Sequence, residues 1–318
     1  MKFRSIIPFI VLAVLLALPP VLPRYYLYLL ASIFVTALLA TSLNFILGFG
    51  GLLQLHHAVF FGVGAYTFSI LLYKTSVPFV VALMAAPVAA AVIAVLIGWF
   101  CVRLRGLYFG MLTLALGQLV WAIIYRWSAL TGGDDGLHGI PLPESLSSLK
   151  AAYYLTLAVL TVCMAILYLI LKSPFGLTLM AIRDNPVRSE SVGINIRRHR
   201  LAAFVISGLF AGIAGVLFVI VEKSVSPSIL SWGESAEIMI MCLLGGLTAF
   251  YGPALGAGII VFLSMKVGTY TEYWMLVLGI TLLILVLVLP QGILGFVQDK
   301  LFKGRAVSKE GWGANASG

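Results

Sequence analysis

A stretch with several polar side chains lies between two long apolar runs. Residues 43–57 read LNFILGFGGLLQLHH, with three glycines in four positions and with Asn44, Gln54, His56 and His57 as groups that can hydrogen-bond. Glycines at this spacing interrupt a helix, and irregular backbone at membrane depth is tolerated where protein covers it or where it lines a water-filled cavity. The pattern predicts that Asn44, Gln54 and His57 line a translocation path. The alternative is an ordinary turn with two histidines at the membrane surface.

The sequence offers little for metal binding or catalysis. Two adjacent histidines do not form a zinc site without carboxylate or thiolate ligands at suitable spacing. The cysteines, Cys101, Cys163 and Cys242, each lie in or at the end of an apolar run, where buried inert thiols are expected. An intramembrane enzyme would need an aspartate pair, a serine with a base or metal ligands at depth. We therefore expect no catalytic residue, no metal and no bound cofactor, and a protein that is not an enzyme.

A second candidate site lies in residues 172–200, KSPFGLTLMAIRDNPVRSESVGINIRRHR, the longest run that cannot sit in lipid. Asn185 followed by Pro186 is typical of an N-cap and a first helical residue, and Gly193 is typical of the position just past a helix end. These signals predict a short helix over 186–192, after one or two earlier helical turns. Two short helices joined by a polar bend would form a compact docking surface. We assign to it Arg183, Asp184, Asn185, Glu190 and Gly193.

The alternative for this loop is a basic segment that rests on anionic lipid, where each Lys or Arg contributes about 1 kcal/mol. The cluster Arg197-Arg198-His199-Arg200 fits that alternative. Asp184 and Glu190 do not, because anionic headgroups repel carboxylates. The part of the loop before residue 193 is therefore predicted to dock on a protein.

The composition indicates that the helices flanking these two stretches lie in a membrane. The chain has 318 residues, of which 62% are hydrophobic and 10% are charged, and its mean hydropathy is +1.11. Soluble domains carry about 25% charge, and apolar runs near the ~18 to 20 residues that span a bilayer recur along this chain. We predict an all-α polytopic membrane protein of about ten transmembrane helices. The predicted spans are 6–22, 25–47, 58–73, 79–102, 107–125, 153–171, 201–221, 236–250, 253–267 and 274–289.

The basic residues indicate how these spans are oriented. The net charge of +9 arises in loops beside apolar runs, which predicts contact with membrane lipid and not with nucleic acid. With ten spans both termini lie on one side, and most of the Lys and Arg residues share that side. Because cytoplasmic loops carry the excess of Lys and Arg, we predict cytoplasmic termini, with the N-terminus inside. Residues 1–305 would form the transmembrane domain, with 172–200 as a cytoplasmic loop and 306–318 as a disordered tail.

Small residues recur every four positions along several predicted spans. In lipid this spacing lets two helix backbones approach closely. The facing helix could belong to the same chain or to a second subunit, and the sequence leaves both open. The pairs are Gly106 and Gly110, Gly208 and Gly212, Ala211 and Gly215, Gly252 and Gly256, and Ala254 and Gly258.

At both candidate stretches the chain resembles the permeases of branched-chain amino acid ABC importers, in particular the LivM type. The matching pieces are LNFILGFGGLLQLHHAVFFGVGAY at 43–66, LRGLYFGMLTLALGQ at 104–118, MAIRDNPVRSESVGINIRRHRLAAFVISGLFAGIAGVL at 180–217 and LLGGLTAFYGPALGA at 243–257. The likeness covers most of the chain between Leu43 and Gly295. One departure is His56, where the family usually has glycine.

The resemblance implies a fold like that of type II importers, with residues 176–193 as coupling helices on the ATPase. It implies a heterodimer with a second permease subunit, two cytoplasmic P-loop ATPase subunits and a periplasmic substrate-binding protein. The cargo would be a small amino acid, by default a branched-chain one (Leu, Ile or Val), moved inward across the bacterial cytoplasmic (inner) membrane. The sequence contains no G-x-x-x-x-G-K-[ST] pattern. ATP would therefore be bound by partner subunits.

Two other interpretations of the transport activity stay open. A secondary transporter driven by an ion gradient would need a buried acid, and the predicted spans hold few ionisable residues away from their ends, with Glu237 near one end. An ABC permease for urea or short amides would share every feature named above. Uptake that survives ATP depletion but not a protonophore would favour the secondary transporter.

Overall fold

A computed structural model of the chain describes residues 11–75 and 77–267, together with 276, 279–280 and 292–293. The principal helices are α1 (Arg24–Asn44), α2 (Ala58–Lys74), α3 (Phe79–Cys101), α4 (Leu107–Arg126), α5 (Leu149–Lys172), α6 (Pro174–Asp184), α7 (Pro186–Ser191), α8 (Ile196–Glu222), α9 (Trp232–Gly245) and α10 (Gly252–Val267). Shorter elements are a π-helix (Phe45–Phe49), one α-turn (Ser128–Thr131) and the 3-10 turns Gly133–Asp135, Glu144–Leu146 and Pro227–Leu230. Strands β1 (Leu137–His138) and β2 (Ser224–Val225) pair antiparallel.

Each apolar run predicted as a span is at least partly helical where the structure describes it, although described residues 18–22 and 246–250 lie outside helices. Five helices in this part of the chain, α1 with its π-helical extension, α3, α4, α5 and α8, are long and apolar enough to cross a membrane. α2, α9 and α10 have 17, 14 and 16 residues, fewer than the ~20 that a full span needs. The predicted run 236–250 is displaced from α9, because that helix begins at Trp232 and ends where Gly246 adopts a φ of +104°.

The two ends of the predicted bundle lie mostly outside this description. The predicted span 6–22 is described from residue 11 onward and is helical over 11–17. Nearly all of the predicted span 274–289, and the tail 306–318, lie outside the described residues. The number of spans and the side on which the termini lie therefore stay predictions.

α8 lies at the centre of the bundle and packs against α1, α2 and α3. Its small residues allow this packing. Gly208 and Gly212 face two alanines of α3, and Gly215 lies against the Phe61 carbonyl group of α2. The small-residue stripe of α8, which the sequence left open to either use, thus packs inside the chain.

We expect Gly215→Ala to destabilise the bundle. An added methyl group would overlap the Phe61 carbonyl oxygen and lie 2.8 Å from the Ala65 nitrogen, and backbone atoms cannot rotate away as a side chain can. Overpacking of this kind costs roughly 1–3 kcal/mol, so the melting temperature in detergent should fall by several degrees. Gly258→Ala is the matched control, because the nearest atom to its methyl group would be an Ile33 carbon at 3.8 Å. Equal melting temperatures for the two variants would contradict the close α2–α8 packing.

Contacts between the connecting segments define two ends of the bundle: Arg183 and Leu247 lie beside Gly48 at one end, and Lys74 and Lys223 contact residues 129 and 147 at the other. The elbow face carries residues 102–106, 172–195 and 246–251, and takes its name from the elbow that α6 and α7 form (residues 174–193). The loop face carries residues 127–148 and 223–231. On the loop face β1 pairs with β2, and the Lys223 amine donates to the Ser147 carbonyl oxygen at 2.9 Å. These contacts tie the two loops of that face together.

Candidate functional site

The helix is interrupted where the glycines of residues 43–57 predict it. This interruption, residues 50–57, is the first break. α1 passes into the π-helix and ends near the elbow face, and residues 50–57 then run back into the bundle without regular structure. His57 Nε2 lies 2.8 Å from Ser42 Oγ, and His57 Nδ1 lies 3.3 Å from Gln54 Oε1. Because Ser42 lies roughly two turns before the end of the π-helix, α2 begins part of the way through the bundle.

A second break, residues 226–231, extends from the loop face into the bundle. Residues 226–231 descend between α8 and α9, with Leu230 fully buried against Gly62 of α2. The Trp121 indole N–H donates to the Pro227 carbonyl oxygen at 3.1 Å and fixes the start of this segment to α4. α9 therefore also begins inside the bundle.

The first turns of α2 and α9 meet. The Ala58 N–H donates to Ser235 Oγ at 3.0 Å, and Ser235 is buried. Interrupted helices that meet near the middle of a bundle are the arrangement in which many transporters bind their cargo. This second break was not predicted, although the run SVSPSILS around Pro227 is a turn signal.

The predicted path residues are enclosed by neighbouring helices. Asn44, Gln54 and His57 expose 0%, 2% and 0% of their surfaces. Gln54 and His57 contact each other, whereas Asn44 lies nearer the elbow face beside Gly48, and its amide nitrogen and oxygen have no hydrogen-bond partner. The bundle is closed around these residues in this conformation, and their part in transport stays a prediction.

His56, where the resemblance leads us to expect glycine, is buried against α4. A methyl group on Gly117 would lie 2.8 Å from His56 Cβ and Cδ2. Neither nitrogen of the His56 ring has a hydrogen-bond partner. The missing side chain at Gly117 thus makes room for the His56 imidazole.

A cavity of about 270 Å³ lies between α1, α8, α9 and α10, on the loop-face side of the breaks. Its polar wall combines three carboxylates with nearby hydroxyls, from Glu222, Glu234, Glu237, Tyr28, Ser32, Thr36 and Ser264. Its apolar wall is formed by Val35, Leu39, Phe61, Phe218, Ile238, Met241 and Val261. The Tyr28 hydroxyl donates to the Glu222 carboxylate. A lining that combines carboxylates with aliphatic and aromatic groups suits a small ligand that has both a cationic group and an apolar group.

These carboxylates were not predicted to form a site. A signal was present, because three of the chain's 11 acidic residues fall within residues 222–237. It was missed because Glu222 and Glu234 lie at helix ends, where an acid is usually solvated. Both nevertheless line the cavity together with Glu237.

The elbow has the helix signals that the sequence predicts. Asn185 Oδ1 accepts from the Arg188 N–H at 3.0 Å, and Pro186 is the first residue of α7. Gly193 adopts a φ of +86°, in the left-handed region that favours glycine. α6 is longer than predicted, since it begins at Pro174. The predicted pair of short helices is confirmed.

The elbow has a buried side and an exposed side. Leu179 and Ile182 are fully buried and anchor α6 in the bundle. The exposed apolar side chains are those of Leu177, Val187 and Val192, at 57%, 69% and 72% exposure. Apolar side chains exposed among charges at a polar end of the bundle are typical of a protein contact.

The residues assigned to the docking surface do not all point outward. Asp184, Asn185, Glu190 and Gly193 are exposed. Arg183 is half-buried, and its guanidinium binds the Asp184 carboxylate through Nη2 at 2.8 Å and Nε at 2.9 Å. Its Nη1 donates to the Gly48 carbonyl oxygen at 2.8 Å. Arg183 thus connects the elbow to the end of α1.

The basic cluster after the elbow is partly built into the structure. Arg197 and Arg198 are exposed, but Arg200 exposes only 8% of its surface. The His199 ring stacks on Phe175 of α6, with ring centroids 5.8 Å apart. A purely lipid-bound loop would leave all of these side chains free, so the packing favours the docking interpretation.

The described residues contain no group of three or more His, Cys, Asp or Glu side chains that could hold a metal ion. The thiols of Cys101, Cys163 and Cys242 are free and buried, as predicted. The Cys242 thiol lies 3.1 Å from the Ala40 carbonyl oxygen, and so links α9 to α1.

Comparison with known proteins agrees with these features. Residues 25–287 match the family described as branched-chain amino acid transport system / permease component. The high-affinity branched-chain amino acid transport system permease protein LivM of Escherichia coli (strain K12) is 30% identical over 291 residues, which cover 83% of this chain and 68% of that protein. The protein of the same name from Salmonella typhimurium is 28% identical over equal shares of the two chains.

Other relatives carry different names. The autoinducer 2 import system permease protein LsrC of Klebsiella pneumoniae is 27% identical over 135 residues, which cover 40% of this chain and 39% of that protein. No solved structure gives a significant match. The relatives thus share the permease description, while the cargoes in their names differ.

Proposed function

The chain belongs to the family of permease components of branched-chain amino acid transport systems, and from this membership we propose that it is the membrane-spanning subunit of an ABC importer that carries a small amino acid inward. Separate ATPase subunits would supply the energy. The chain itself would bind no ATP and perform no catalysis.

The observation that carries this proposal is the elbow. Its helices are capped at Asn185 and anchored by Leu179 and Ile182, so its shape is fixed. It exposes Val187 and Val192 to water, where apolar side chains gain by being covered. A rigid elbow with an exposed apolar surface suits a partner that pushes on it, as an ATPase does when it closes on nucleotide.

We further propose an orientation for the chain in the membrane and a set of partner proteins. The elbow face would be cytoplasmic, with the N-terminus inside, in the bacterial inner membrane. Two P-loop ATPase subunits would bind the elbows of this chain and of a second permease subunit. A periplasmic substrate-binding protein would deliver cargo to the loop face, where β1, β2 and the Lys223–Ser147 contact hold two loops together.

Branched-chain amino acids are the proposed cargo. The carboxylates of the cavity would attract the cargo's ammonium group, and the wall that contains Phe61, Phe218 and Ile238 would accept an aliphatic side chain. The closed region around Asn44, Gln54 and His57 would form the second half of the path. A cargo without a cationic group, such as urea or a short amide, would leave the three carboxylates unused.

Reconstitution tests the proposal. The chain is placed in proteoliposomes with its ATPase, sister permease and binding protein, and uptake of leucine, isoleucine, valine, urea and acetamide is measured with and without ATP. We expect ATP-dependent uptake of the three amino acids. Uptake that needs no ATP but collapses with a protonophore would identify a secondary transporter, and uptake of urea or acetamide alone would replace the proposed cargo.

We expect Glu190→Lys to leave the chain inserted but to uncouple uptake from ATP hydrolysis. Glu190 lies at the exposed end of α7 and accepts the Gly193 N–H through its backbone, so the substitution reverses a surface charge without removing that bond. The measurement is the ratio of amino acid taken up to ATP hydrolysed. A wild-type ratio in this variant would remove Glu190 from the coupling surface.

A further inference from the structure

Arg183 connects the elbow to the end of α1. Its Nη1 donates to the Gly48 carbonyl oxygen at 2.8 Å, across 135 positions of sequence. Among the hydrogen bonds of the described elbow residues, the bond to Gly48 is the one that reaches a helix outside residues 172–200. The Asp184 carboxylate holds the other side of the guanidinium, so the planar fork is fixed between the two acceptors.

The partner of Arg183 is the carboxyl end of the π-helix. The helix ends at Phe49, Gly51 adopts a φ of +65°, and the Gly51 and Leu52 N–H groups bond to the Leu47 and Ile46 carbonyl oxygens. These bonds pass over the Gly48 carbonyl oxygen, which accepts from Arg183. A cation at this position also suits the negative end of the α1 dipole. Arg183 thus caps α1 from a separate element.

The fit around Arg183 is close. Gly51 has a φ of +65°, and a methyl group there would lie 3.2 Å from Arg183 Cβ and still closer to Cγ. A methyl group on Gly48 would overlap both the Asn44 amide oxygen and the Leu247 carbonyl oxygen. The arginine therefore sits where the elbow, the end of α1 and the turn between α9 and α10 come together.

We propose that Arg183 is the positioning residue that transmits elbow movement to the end of α1, and so to the broken segment 50–57, and that it is not itself an ATPase contact. This inference rests on the proposed function. Movement of α6 pulls on the Gly48 carbonyl group through the guanidinium. The break at residues 50–57, together with the unpartnered Asn44 amide at the end of α1, then rearranges when the elbow-face half of the path opens.

The test compares Arg183→Gln with Val187→Asp in the reconstituted complex. Three quantities are measured for each: ATPase subunits recovered with the permease, ATP hydrolysed, and leucine taken up. For Arg183→Gln we expect wild-type ATPase recovery and continued hydrolysis, with uptake per ATP lowered at least about fivefold, the lower end of typical coupling between sites. For Val187→Asp we expect loss of the ATPase subunits. Arg183→Lys should restore part of the coupling, because an ammonium can bind the Gly48 oxygen but cannot bridge to Asp184 as a fork.

Three results would overturn the inference. Loss of the ATPase subunits from Arg183→Gln would make Arg183 a contact residue. A wild-type ratio of uptake to hydrolysis would show that the link transmits nothing, and a parallel fall of both rates together with the melting temperature would show a purely structural role. If Arg183→Gln does not fold, Arg183→Lys decides between the same outcomes, because it keeps the stem and the charge but cannot bridge Gly48 and Asp184 as a fork. Failure of the proposed function itself is recognised separately, as absence of ATP-dependent uptake by the wild-type complex.

Discussion

Val187→Asp should remove the ATPase subunits from the purified complex and abolish uptake. Val187 is 69% exposed on α7 and belongs to the apolar surface of the elbow. An aspartate covered by an apolar partner loses its hydration without gaining a counter-charge. At the centre of an interface such a change costs roughly 2–4 kcal/mol, which weakens binding by ~30-fold to 1,000-fold. The measurement is the amount of ATPase recovered with the tagged permease.

The control for this variant adds the same charge on the opposite face. Ser145 lies in an exposed 3-10 turn of the loop face, so Ser145→Asp should leave ATPase recovery unchanged. Both substitutions are on the surface, where stability changes are typically within about 0.5 kcal/mol. Full ATPase recovery and normal uptake in Val187→Asp would show that the elbow is not the docking surface.

Glu234→Gln combined with Glu237→Gln should lower leucine uptake by roughly tenfold to a hundredfold while the complex still assembles. Both residues line the cavity between α1, α8, α9 and α10. Glutamine keeps the shape of the side chain but removes the charge that would bind an ammonium group. A hydrogen bond to a charged group contributes about 1.5–3 kcal/mol, and each 1.4 kcal/mol is a tenfold change in affinity.

Glu144→Gln is the matched control, because Glu144 is an exposed acid of the loop face outside the cavity. Uptake is measured with saturating loaded binding protein, so that delivery of cargo is not limiting. We expect the control to transport at the wild-type rate. If the double variant also did so, the cavity would have no part in cargo recognition, and the path would have to be sought elsewhere in the bundle.

Local signals explain the parts of this fold that could be predicted. Apolar runs located the helices because a lipid-facing backbone must satisfy its hydrogen bonds within each helix. Asn185, Pro186 and Gly193 located α7 because capping depends on residues within one turn. The glycines of residues 43–57 located the first break for the same reason. Each of these features depends on a few neighbours in sequence.

Contacts between distant segments explain the parts that could not be predicted. The second break at 226–231 depends on Gly62 leaving room for Leu230, and on Trp121 binding the Pro227 carbonyl group. The cavity is lined by residues of α1, α8, α9 and α10, among them Glu222, Glu234 and Glu237. These partners are far apart in the sequence, so no local pattern relates them.

The sequence by itself determined a membrane-embedded helical permease with an interrupted first helix and a capped elbow. Composition, periodicity and caps depend on residues that are close together in the chain, so they can be recognised in the sequence. Only the tertiary structure decided that Arg183 turns inward to Gly48 and not outward to a partner. It also decided that Asn44, Gln54 and His57 are enclosed while three carboxylates share a cavity. The direction of a side chain depends on which backbone lies opposite, and that is settled only when the helices pack.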